Sequence, residues 1–539
     1  MPEPFDALAL SQQARAAVQS GNWRAVQSCA TALVQKDPAN PEGHFLAGLV
    51  ARAASQPEAA ASAFERALTA DPGRYDAAVE LAEAWRMLGR PAKALRLLDA
   101  QVGRLGNSPK YLDLAGTVYS QLGLHARAAP LFEAACRLQP GVERLQASLA
   151  ECLVTLGRLG EAETLYRELL GRFPRHQRYH YQLANLRRAR DDEHLEQMRS
   201  ALEASGGPPA RNIFLYYAIG KELEDLERWD EAFEHYRKGG DAAKGVSGYR
   251  VEPDLALIDA IIATCDRAWL GAAVLEPVAA SGPVTPAIGP RESTPVFITG
   301  LPRTGTTLAE RILASHSQVE SAGESFYLPL ALHQLAGRQL EMVPKPATIM
   351  AAARRPGGEL AERYLAAVSG RLEGKALFIE KLPENFLYLG FIARAFPDAR
   401  LVYLRRHPMD ACFALYKQSY FRFAYTLDDL ARYYLAHDRL LRHWREVLGE
   451  RLVELGYEDL VSDPEPQVRS WLGRLGLEFE PACLEFDRRG GAVATASAAQ
   501  VREPIHTRSV GRWRKFERQL QPLRERLEAG GILVRADTH

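Results

Sequence analysis

The sequence predicts two structural classes in one chain of 539 residues: an all-α repeat solenoid, followed by a three-layer α/β domain with a mostly parallel sheet. Three observations predict this. A 34-residue repeat with helical spacing runs through the first half, short apolar runs followed by helical segments begin at Pro295, and a Pro- and Gly-rich stretch separates the two patterns. We expect the array over 1–240, a helical segment and linker over 241–294, and the α/β domain over 295–539.

The repeat is clearest at its turns. Leu88-Gly89, Leu122-Gly123 and Leu156-Gly157 are spaced by 34 residues, and an alanine follows each glycine by five positions. Projected backwards, the same register reaches Ser55 and Gly21. Two short amphipathic helices cannot bury their apolar faces alone, so units of this kind stack on their neighbours.

Period, turn residues and small residues together resemble the tetratricopeptide repeat. The resemblance covers about 1–240, with a weaker stretch near 177–210 and one more unit over Leu215–Gly239, where Ala232 follows Glu227 by five positions. It implies a surface that docks a protein partner or the substrate. A spacer or dimerisation element is the alternative.

Composition and charge exclude several other classes. Hydrophobic residues make up 47% of the chain, charged residues make up 25%, and 67 basic side chains balance 67 acidic ones. No net field therefore favours nucleic acid or an anionic membrane. The six cysteines show no metal-ligand spacing, and no stretch approaches the roughly 18 apolar residues of a spanning helix. We expect a cytoplasmic, soluble protein without a signal peptide, a membrane span or a nucleic-acid partner.

Four apolar runs predict the strands of the second domain. They are PVFITG (295–300), ALFIE (376–380), ARLVYL (399–404) and RLVELGY (451–457). Strands that alternate with helices form a parallel sheet covered on both faces, and ligands bind at the carboxyl ends of such strands. Polar residues at these strand ends are therefore candidates for the site.

The first predicted strand runs into GLPRTGTT, over Gly300–Thr307, and a helical segment follows. Gly300 and Gly305 have the spacing of a P-loop-like phosphate-binding turn, in which backbone N–H groups and a helix N-terminus hold an anion. A P-loop kinase or NTPase would carry lysine at the position of Thr306. Here the basic residue is Arg303, inside the loop, which disfavours that alternative.

GLPRTGTT resembles the loop that binds the 5′-phosphosulfate in sulfotransferases, which use 3′-phosphoadenosine 5′-phosphosulfate (PAPS) as co-substrate. Further motifs follow in family order: AGES (322–325), EKLPENFLYLG (380–390), LRRHPMD (404–410), GYEDLVSDPE (456–465) and SAAQVREPIHTRSVGRW (497–513). The chain is similar to tyrosylprotein sulfotransferases and to bacterial sulfotransferases fused to tetratricopeptide repeats. The resemblance implies transfer of a sulfuryl group to an acceptor hydroxyl, without a metal.

The resemblance also implies three catalytic side chains. Glu324, 21 residues after Arg303, matches the base that takes the acceptor's proton, with Glu320 as the competing carboxylate. Lys381 follows an apolar strand and matches the lysine that stabilises the leaving group. Arg303 would share the sulfonate charge.

The donor-binding residues implied by the resemblance are Arg303, Thr304, Gly305, Thr306, Thr307, Arg406, Tyr457, Ser497 and Arg512. Arg406, at the end of ARLVYLRR, matches the arginine of the 3′-phosphate, and Arg405 is the alternative if the strand phase shifts by one. The family places a serine eight residues later, where this chain has Ala414. Lys417 or Ser419, one turn further along, would then have to compensate.

The acceptor is left open by the sequence. The resemblance points to a peptide tyrosine, whereas a carbohydrate, a lipid or a small phenol are the alternatives. A scaffold with an inactive sulfotransferase-like domain is the competing function, and Ala414 is the sequence feature in its favour.

Overall fold

The computed structural model describes residues 6–272, 293–338, 341, 343–493, 495 and 500–534. The Pro- and Gly-rich part of the segment predicted over 241–294 begins at Leu275, and its residues 275–292 lie outside the described residues. Packing divides the chain into two compact units: Met1–Cys152 with Ala367–Gly370, and Leu153–Ala366 with Arg371–His539. Among the described residues, no helix combines the length and the apolar character needed to cross a bilayer.

The first unit is a run of helices, most of which pack on the next helix along the chain. Its turns keep the 34-residue register, because Gly21, Gly89 and Gly123 all have positive φ, and Ser55 adopts the same left-handed conformation at φ 56°. The helices are α1 (Ala7–Gln19), α2 (Trp23–Lys36), α3 (Pro41–Ala53), α4 (Pro57–Ala70), α5 (Tyr75–Met87), α6 (Pro91–Gln101), α7 (Pro109–Gln121), α8 (His125–Leu138) and α9 (Glu143–Leu156). The predicted repeat solenoid is confirmed.

The alanine five positions after each turn explains the tight helix packing. Ala60, Ala94, Ala128 and Ala162 are at most 1% exposed. A larger side chain at these positions would separate the paired helices, so the repeat selects a small residue there.

The second unit begins with further helix pairs. Its turn at Glu227 is again left-handed, at φ 60°, and Ala232 behind it is fully buried. These helices are α10 (Leu159–Arg172), α11 (Gln177–Leu186), α12 (Glu193–Ser205), α13 (Ile213–Asp225), α14 (Trp229–Ser247), α15 (Glu252–Thr264) and α16 (Arg267–Ala272).

A five-stranded parallel sheet forms the rest of the second unit. Its strands are β1 (Thr294–Gly300), β2 (Val319–Ser321), β3 (Leu377–Glu380), β4 (Arg400–Arg405) and β5 (Leu452–Gly456), in the spatial order β2-β3-β1-β4-β5. The helices are α17 (Thr306–Ala314), α18 (Tyr327–Leu335), α19 (Pro346–Ala353), α20 (Gly357–Val368), α21 (Leu389–Ala395), α22 (Pro408–Tyr416), α23 (Leu427–Leu448), α24 (Tyr457–Ser462), α25 (Pro464–Leu475) and α26 (Glu517–Ala529). The predicted α/β class is confirmed.

Alternate residues of the central strand face opposite layers, as the pleat requires. Val296 and Ile298 join the core that contains Ile312 of α17 and Trp471 of α25. Phe297 points to the other layer, where its ring lies 5.8 Å from that of Tyr364 on α20. Both faces of the sheet are thus covered.

The strand order creates the position of the site. The chain passes from β1 to β2 and β3 on one side, then crosses to β4 and β5 on the other, so β1 lies between β3 and β4. Ligands of open parallel sheets bind outside the carboxyl ends at such a switch point. Gly300, Lys381 and Arg406 all follow or end these three strands.

Candidate active site

Two glycines shape the turn after β1. A Cβ on Gly300, at φ 153°, would lie 2.7 Å from the carbonyl oxygen of Leu404 on β4. A Cβ on Gly305, at φ 99°, would lie 2.6 Å from the ring of Tyr457. Only glycine satisfies both the backbone conformation and the close approach. The loop is thereby pressed against β4 and against the first residue of α24.

Gly305→Ala is expected to lower the free energy of unfolding by about 2–4 kcal/mol, because it combines backbone strain with overlap on the Tyr457 ring. Urea unfolding measures the loss. The matched control is Gly337→Ala, since Gly337 has φ 67° but nothing within 4 Å of its added Cβ. That control is expected to cost about 1 kcal/mol. If both variants lost the same free energy of unfolding, the close contact between Gly305 and the Tyr457 ring would be contradicted.

The loop opens directly into a helix. Gly305 is the N-cap of α17, and no side chain caps the helix N-terminus. Thr304 donates its hydroxyl to the carbonyl of Leu301 at 2.7 Å, which tightens the loop. Thr306 and Thr307 form the first turn of α17 and are buried, and the Thr307 hydroxyl donates to Thr495 at 3.3 Å. The first-turn amides therefore face the loop, as an anion site requires.

Arg303 and Arg406 stand together at the loop. Arg303 holds a left-handed backbone at φ 70°, uncommon outside glycine. Its carbonyl accepts a hydrogen bond from Arg406 Nη1 at 2.8 Å. Arg406 also donates to the carbonyl of Ser509 at 2.6 Å and lies 4.7 Å above the Tyr457 ring. Burial lowers the pKa of Arg303, and the charge of Arg406 lowers it further.

The alternative residue, Arg405, points elsewhere. Its guanidinium pairs with Glu454 of β5 at 2.6 Å and is half exposed. Successive strand residues face opposite sides, so only one of the two arginines can face the loop. In the structure, Arg406 is the arginine that faces the loop.

A buried lysine lies between two carboxylates at the end of β3. The Lys381 side chain is fully buried, its ammonium donates to Glu324 Oε2, and it lies 3.6 Å from Glu310 Oε2 on α17. Its backbone N–H donates to the carbonyl of Gly323 at 3.1 Å, which fixes the turn carrying Glu324. Burial lowers the pKa of Lys381, but the two carboxylates outweigh it and hold the pKa above its usual value.

Glu320 is committed to the backbone. Its carboxylate accepts hydrogen bonds from the N–H groups of Glu373, Gly374 and Lys375 at 2.5–2.9 Å. A carboxylate with this many backbone donors is a structural anchor. Glu324 has about a quarter of its side chain exposed and faces Lys381, so it is the carboxylate of the pair with access to a substrate.

Two further carboxyl groups near Lys381 have strongly raised pKa values. Burial raises the pKa of Glu380 to about 7, and the hydroxyls of Ser325 and Tyr364, both 3.0 Å away, oppose the rise. Burial raises the pKa of Glu384 to about 7 as well, and the charge of Glu324 adds to it. Clustered carboxyl groups with displaced pKa values are typical of functional sites.

The stability of the second unit should depend on the proton of Glu380. Its pKa in the folded chain, about 7, lies above the usual 4.5, so its stabilising contribution is complete below pH 4.5 and is lost as the pH rises through 7. Between pH 4.5 and 8, the parent is expected to lose on the order of 2–3 kcal/mol relative to Glu380→Gln. Urea unfolding of both proteins across this range measures the difference. Parallel pH curves would contradict it.

The other residues predicted to bind the sulfate donor lie in different places. Tyr457 lies against the loop, as described above. Arg512 donates from Nε to Glu224 of α13 at 3.1 Å and lies 4.8 Å above the ring of Trp229. Ser497 lies outside the described residues.

The hydrogen-bond donors around the loop after β1 suit a ligand with several negative charges, such as a phosphorylated nucleotide. Arg406 has a buried Nε atom without a hydrogen-bond partner among the described residues. It stands beside Arg303 and beside the uncapped first turn of α17. Guanidinium groups and backbone amides are the groups that bind phosphate and sulfonate oxygens. In the described part of the chain, no three His, Cys, Asp or Glu side chains form a cluster that could hold a metal ion.

Two carboxylates of this region, Glu310 and Glu224, were not predicted from the sequence. Glu310 follows the loop by one helical turn, so its side chain shares a face with the first turn of α17. That spacing could have identified it. Glu224 comes from the repeat-like part of the chain, almost 200 residues from Lys417, and no local signal links the two.

Both parts of the chain match models of known protein families. Residues 295–481 match the model of the sulfotransferase family. Residues 11–74, 51–116 and 120–186 match models of the tetratricopeptide repeat.

The chain is also similar to curated proteins of other organisms. An uncharacterized protein of Aquifex aeolicus (strain VF5) is 27% identical over 78% of this chain and 55% of its own length. The chain therefore spans about half of that relative. A putative protein-tyrosine sulfotransferase of Caenorhabditis briggsae is 23% identical, over 40% of this chain and 80% of its own. A protein-tyrosine sulfotransferase of Drosophila melanogaster is 24% identical, over 41% of this chain and 47% of its own length.

Proposed function

Since the chain carries a sulfotransferase-family domain together with tetratricopeptide repeats, we propose that it transfers a sulfuryl group from PAPS to an acceptor hydroxyl. The observation that carries the proposal is the buried Lys381 in contact with Glu324, at the same sheet edge as the loop Gly300–Thr307 and Arg406. An acid–base pair beside an anion-binding turn is what sulfuryl transfer requires.

The loop and its neighbours would hold the donor. The amides of Arg303–Thr307 and the hydroxyls of Thr306 and Thr307 suit the 5′-phosphosulfate, whereas Arg406 suits the 3′-phosphate. Tyr457 and Arg512 would add contacts, and Ser497 is proposed from the family resemblance. The donor supplies a sulfuryl group whose sulfur exchanges its bond to the 5′-phosphate oxygen for a bond to the acceptor oxygen.

Glu324 would hold the acceptor's hydroxyl and take its proton. The partly exposed carboxylate can reach a substrate, whereas Lys381 is buried behind it. Lys381 would stabilise the negative charge that the departing 5′-phosphate oxygen gains, with Arg303 at the sulfonate. Glu310 and Glu324 keep the lysine protonated in this buried place, as the raised pKa of Lys381 indicates.

A peptide tyrosine is the acceptor that the relatives favour. Two of them carry the name protein-tyrosine sulfotransferase, although their identity to this chain is only 23–24%. A repeat array is suited to peptide docking, because stacked helix pairs form an extended surface. We therefore propose that the repeats recruit the acceptor, with carbohydrate or small phenolic acceptors as the competing classes.

A transfer assay with sulfur-35-labelled PAPS tests the proposal. The purified chain is incubated with a tyrosine-containing peptide library, with oligosaccharides and with 2-naphthol, and the label is followed into each acceptor. Label in peptides that is lost when tyrosine is replaced by phenylalanine supports peptide-tyrosine transfer. Label in no acceptor, together with magnesium-dependent release of phosphate from ATP, would instead indicate an NTPase.

A further inference from the structure

The helix pair α13–α14 is packed into the sulfotransferase-family part of the second unit. Phe233 of α14 stacks on Tyr416 of α22 at 5.5 Å and also contacts Phe516. Lys244 of α14 pairs with Asp429 of α23 at 2.5 Å. These aromatic and ionic contacts hold α14 against α22, α23 and the turn that carries Phe516.

Glu224 of α13 is the polar centre of this interface. Its side chain is buried, and one oxygen accepts hydrogen bonds from Lys417 Nζ at 2.9 Å and from Arg512 Nε at 3.1 Å. The other oxygen accepts from the hydroxyl of Tyr236 at 2.9 Å. Burial raises the pKa of Glu224, but Lys417, Arg512 and Tyr236 outweigh it and hold the pKa below its usual value.

Both cations that Glu224 binds are connected to α22, the helix that follows Arg406. Lys417 comes three residues after Ala414, at the C-cap of α22, one turn beyond the position of the missing serine. The turn that carries Arg512 is tied to α22, because Asp410 accepts from the N–H groups of Gly511 and Trp513.

This cationic group is continuous with the loop after β1. Burial lowers the pKa of Lys417, and the nearby charges of Arg512 and Arg303 lower it further. Arg303 in turn binds Arg406 through its carbonyl. Lys417 and Arg512 thus share Glu224, Arg406 binds the loop at Arg303, and Lys417 interacts electrostatically with Arg303.

We infer that Glu224 is a positioning residue for the donor's 3′-phosphate: it holds Lys417 and Arg512 side by side, and Lys417 takes the place of the serine that Ala414 lacks. The inference rests on the proposed function, since it concerns the same donor site. It also assigns α13–α14 to the donor site, whereas the sequence pattern had indicated one more docking repeat.

The physical reason is mutual repulsion of the two cations. Without the carboxylate, the buried ammonium and guanidinium groups would separate, and the already lowered pKa of Lys417 would fall further. An uncharged amide at position 224 keeps the size of the side chain but not the charge that holds the pair. The 3′-phosphate would then lose a charge-assisted hydrogen bond, while the 5′-phosphate would keep its contacts.

The experiment compares two probes by isothermal titration: adenosine 3′,5′-bisphosphate and adenosine 5′-phosphate. The dissociation constant of adenosine 5′-phosphate divided by that of adenosine 3′,5′-bisphosphate measures the recognition of the 3′-phosphate alone. Glu224→Gln is expected to reduce this ratio about tenfold. The matched control is Glu222→Gln, two residues earlier on α13, whose buried carboxylate binds His194 at 2.6 Å instead. It is expected to leave the ratio unchanged.

An unchanged or increased ratio in Glu224→Gln would overturn the inference, and so would an equal fall in Glu222→Gln. A parent protein that binds neither probe contradicts the proposed function itself, so the two failures are distinguishable.

A second pair of variants covers the case in which Glu224→Gln does not fold. Lys417→Met is expected to reduce the same ratio, and adding Ala414→Ser to Lys417→Met is expected to recover part of the loss, because the hydroxyl restores a phosphate contact. A Lys417→Met protein with the parental ratio would overturn the role of Lys417.

Discussion

Replacing Glu324 by glutamine is expected to lower kcat for sulfate transfer by about 10²–10⁴-fold, because the amide cannot take the acceptor's proton. Binding of adenosine 3′,5′-bisphosphate should be nearly unchanged, since Glu324 faces Lys381 rather than the phosphate-binding loop. Steady-state kinetics with labelled PAPS, together with titration of the bisphosphate, separates the two quantities.

Glu320→Gln is the matched control, because it removes a carboxylate four residues away from the same segment. Glu320 binds three backbone N–H groups, so its loss should lower stability and leave kcat of the folded protein close to the parental value. If the two variants exchanged these phenotypes, the base would be Glu320. If both variants transferred sulfate at nearly the parental rate, neither Glu320 nor Glu324 would be the base.

Replacing Lys381 by methionine is expected to lower kcat by about 10²–10³-fold, because the cation that would meet the departing phosphate oxygen is lost. Stability should fall as well, since Glu310 and Glu324 then face each other without the ammonium between them. Turnover is therefore divided by the concentration of sites that bind adenosine 3′,5′-bisphosphate, so that unfolded protein does not count.

Lys375→Met is the control for the lysine. Lys375 lies two residues before the same strand, and among the described residues its ammonium donates to the carbonyl of Val319 at 3.3 Å. It should change neither kcat nor bisphosphate affinity. A Lys381→Met protein with parental turnover per binding site would contradict leaving-group stabilisation by this residue.

The parts of the fold that local pattern determines were predictable. The four predicted strands match β1, β3, β4 and β5 to within two residues at either end, because each is an apolar run bounded by turn residues. The turn register of the repeats followed from Gly89, Gly123 and Gly157 and extends back to Ser55, whereas the left-handed turn at Glu227 lies two residues off that register. The strand β2 was missed because its three residues, Val319–Ser321, carry too little pattern.

The candidate site was predictable only where motif and strand end coincide. The loop, Lys381 and Arg406 each follow a strand, so the parallel sheet brings them to one edge. Which of Glu320 and Glu324 is free of the backbone depends on the fold of 373–375, far away in sequence. The pairing of Glu224 with Lys417 likewise depends on how helices pack, which residue spacing does not encode.

A crystal structure of the chain with adenosine 3′,5′-bisphosphate is the most direct test of the central claim. We predict the 5′-phosphate on the backbone amides of Arg303–Thr307 and the 3′-phosphate on Arg406, with Glu324 lining the open side of the pocket. A nucleotide bound elsewhere, or the loop left empty at saturating ligand, would contradict the claim that this sheet edge binds an activated-sulfate donor.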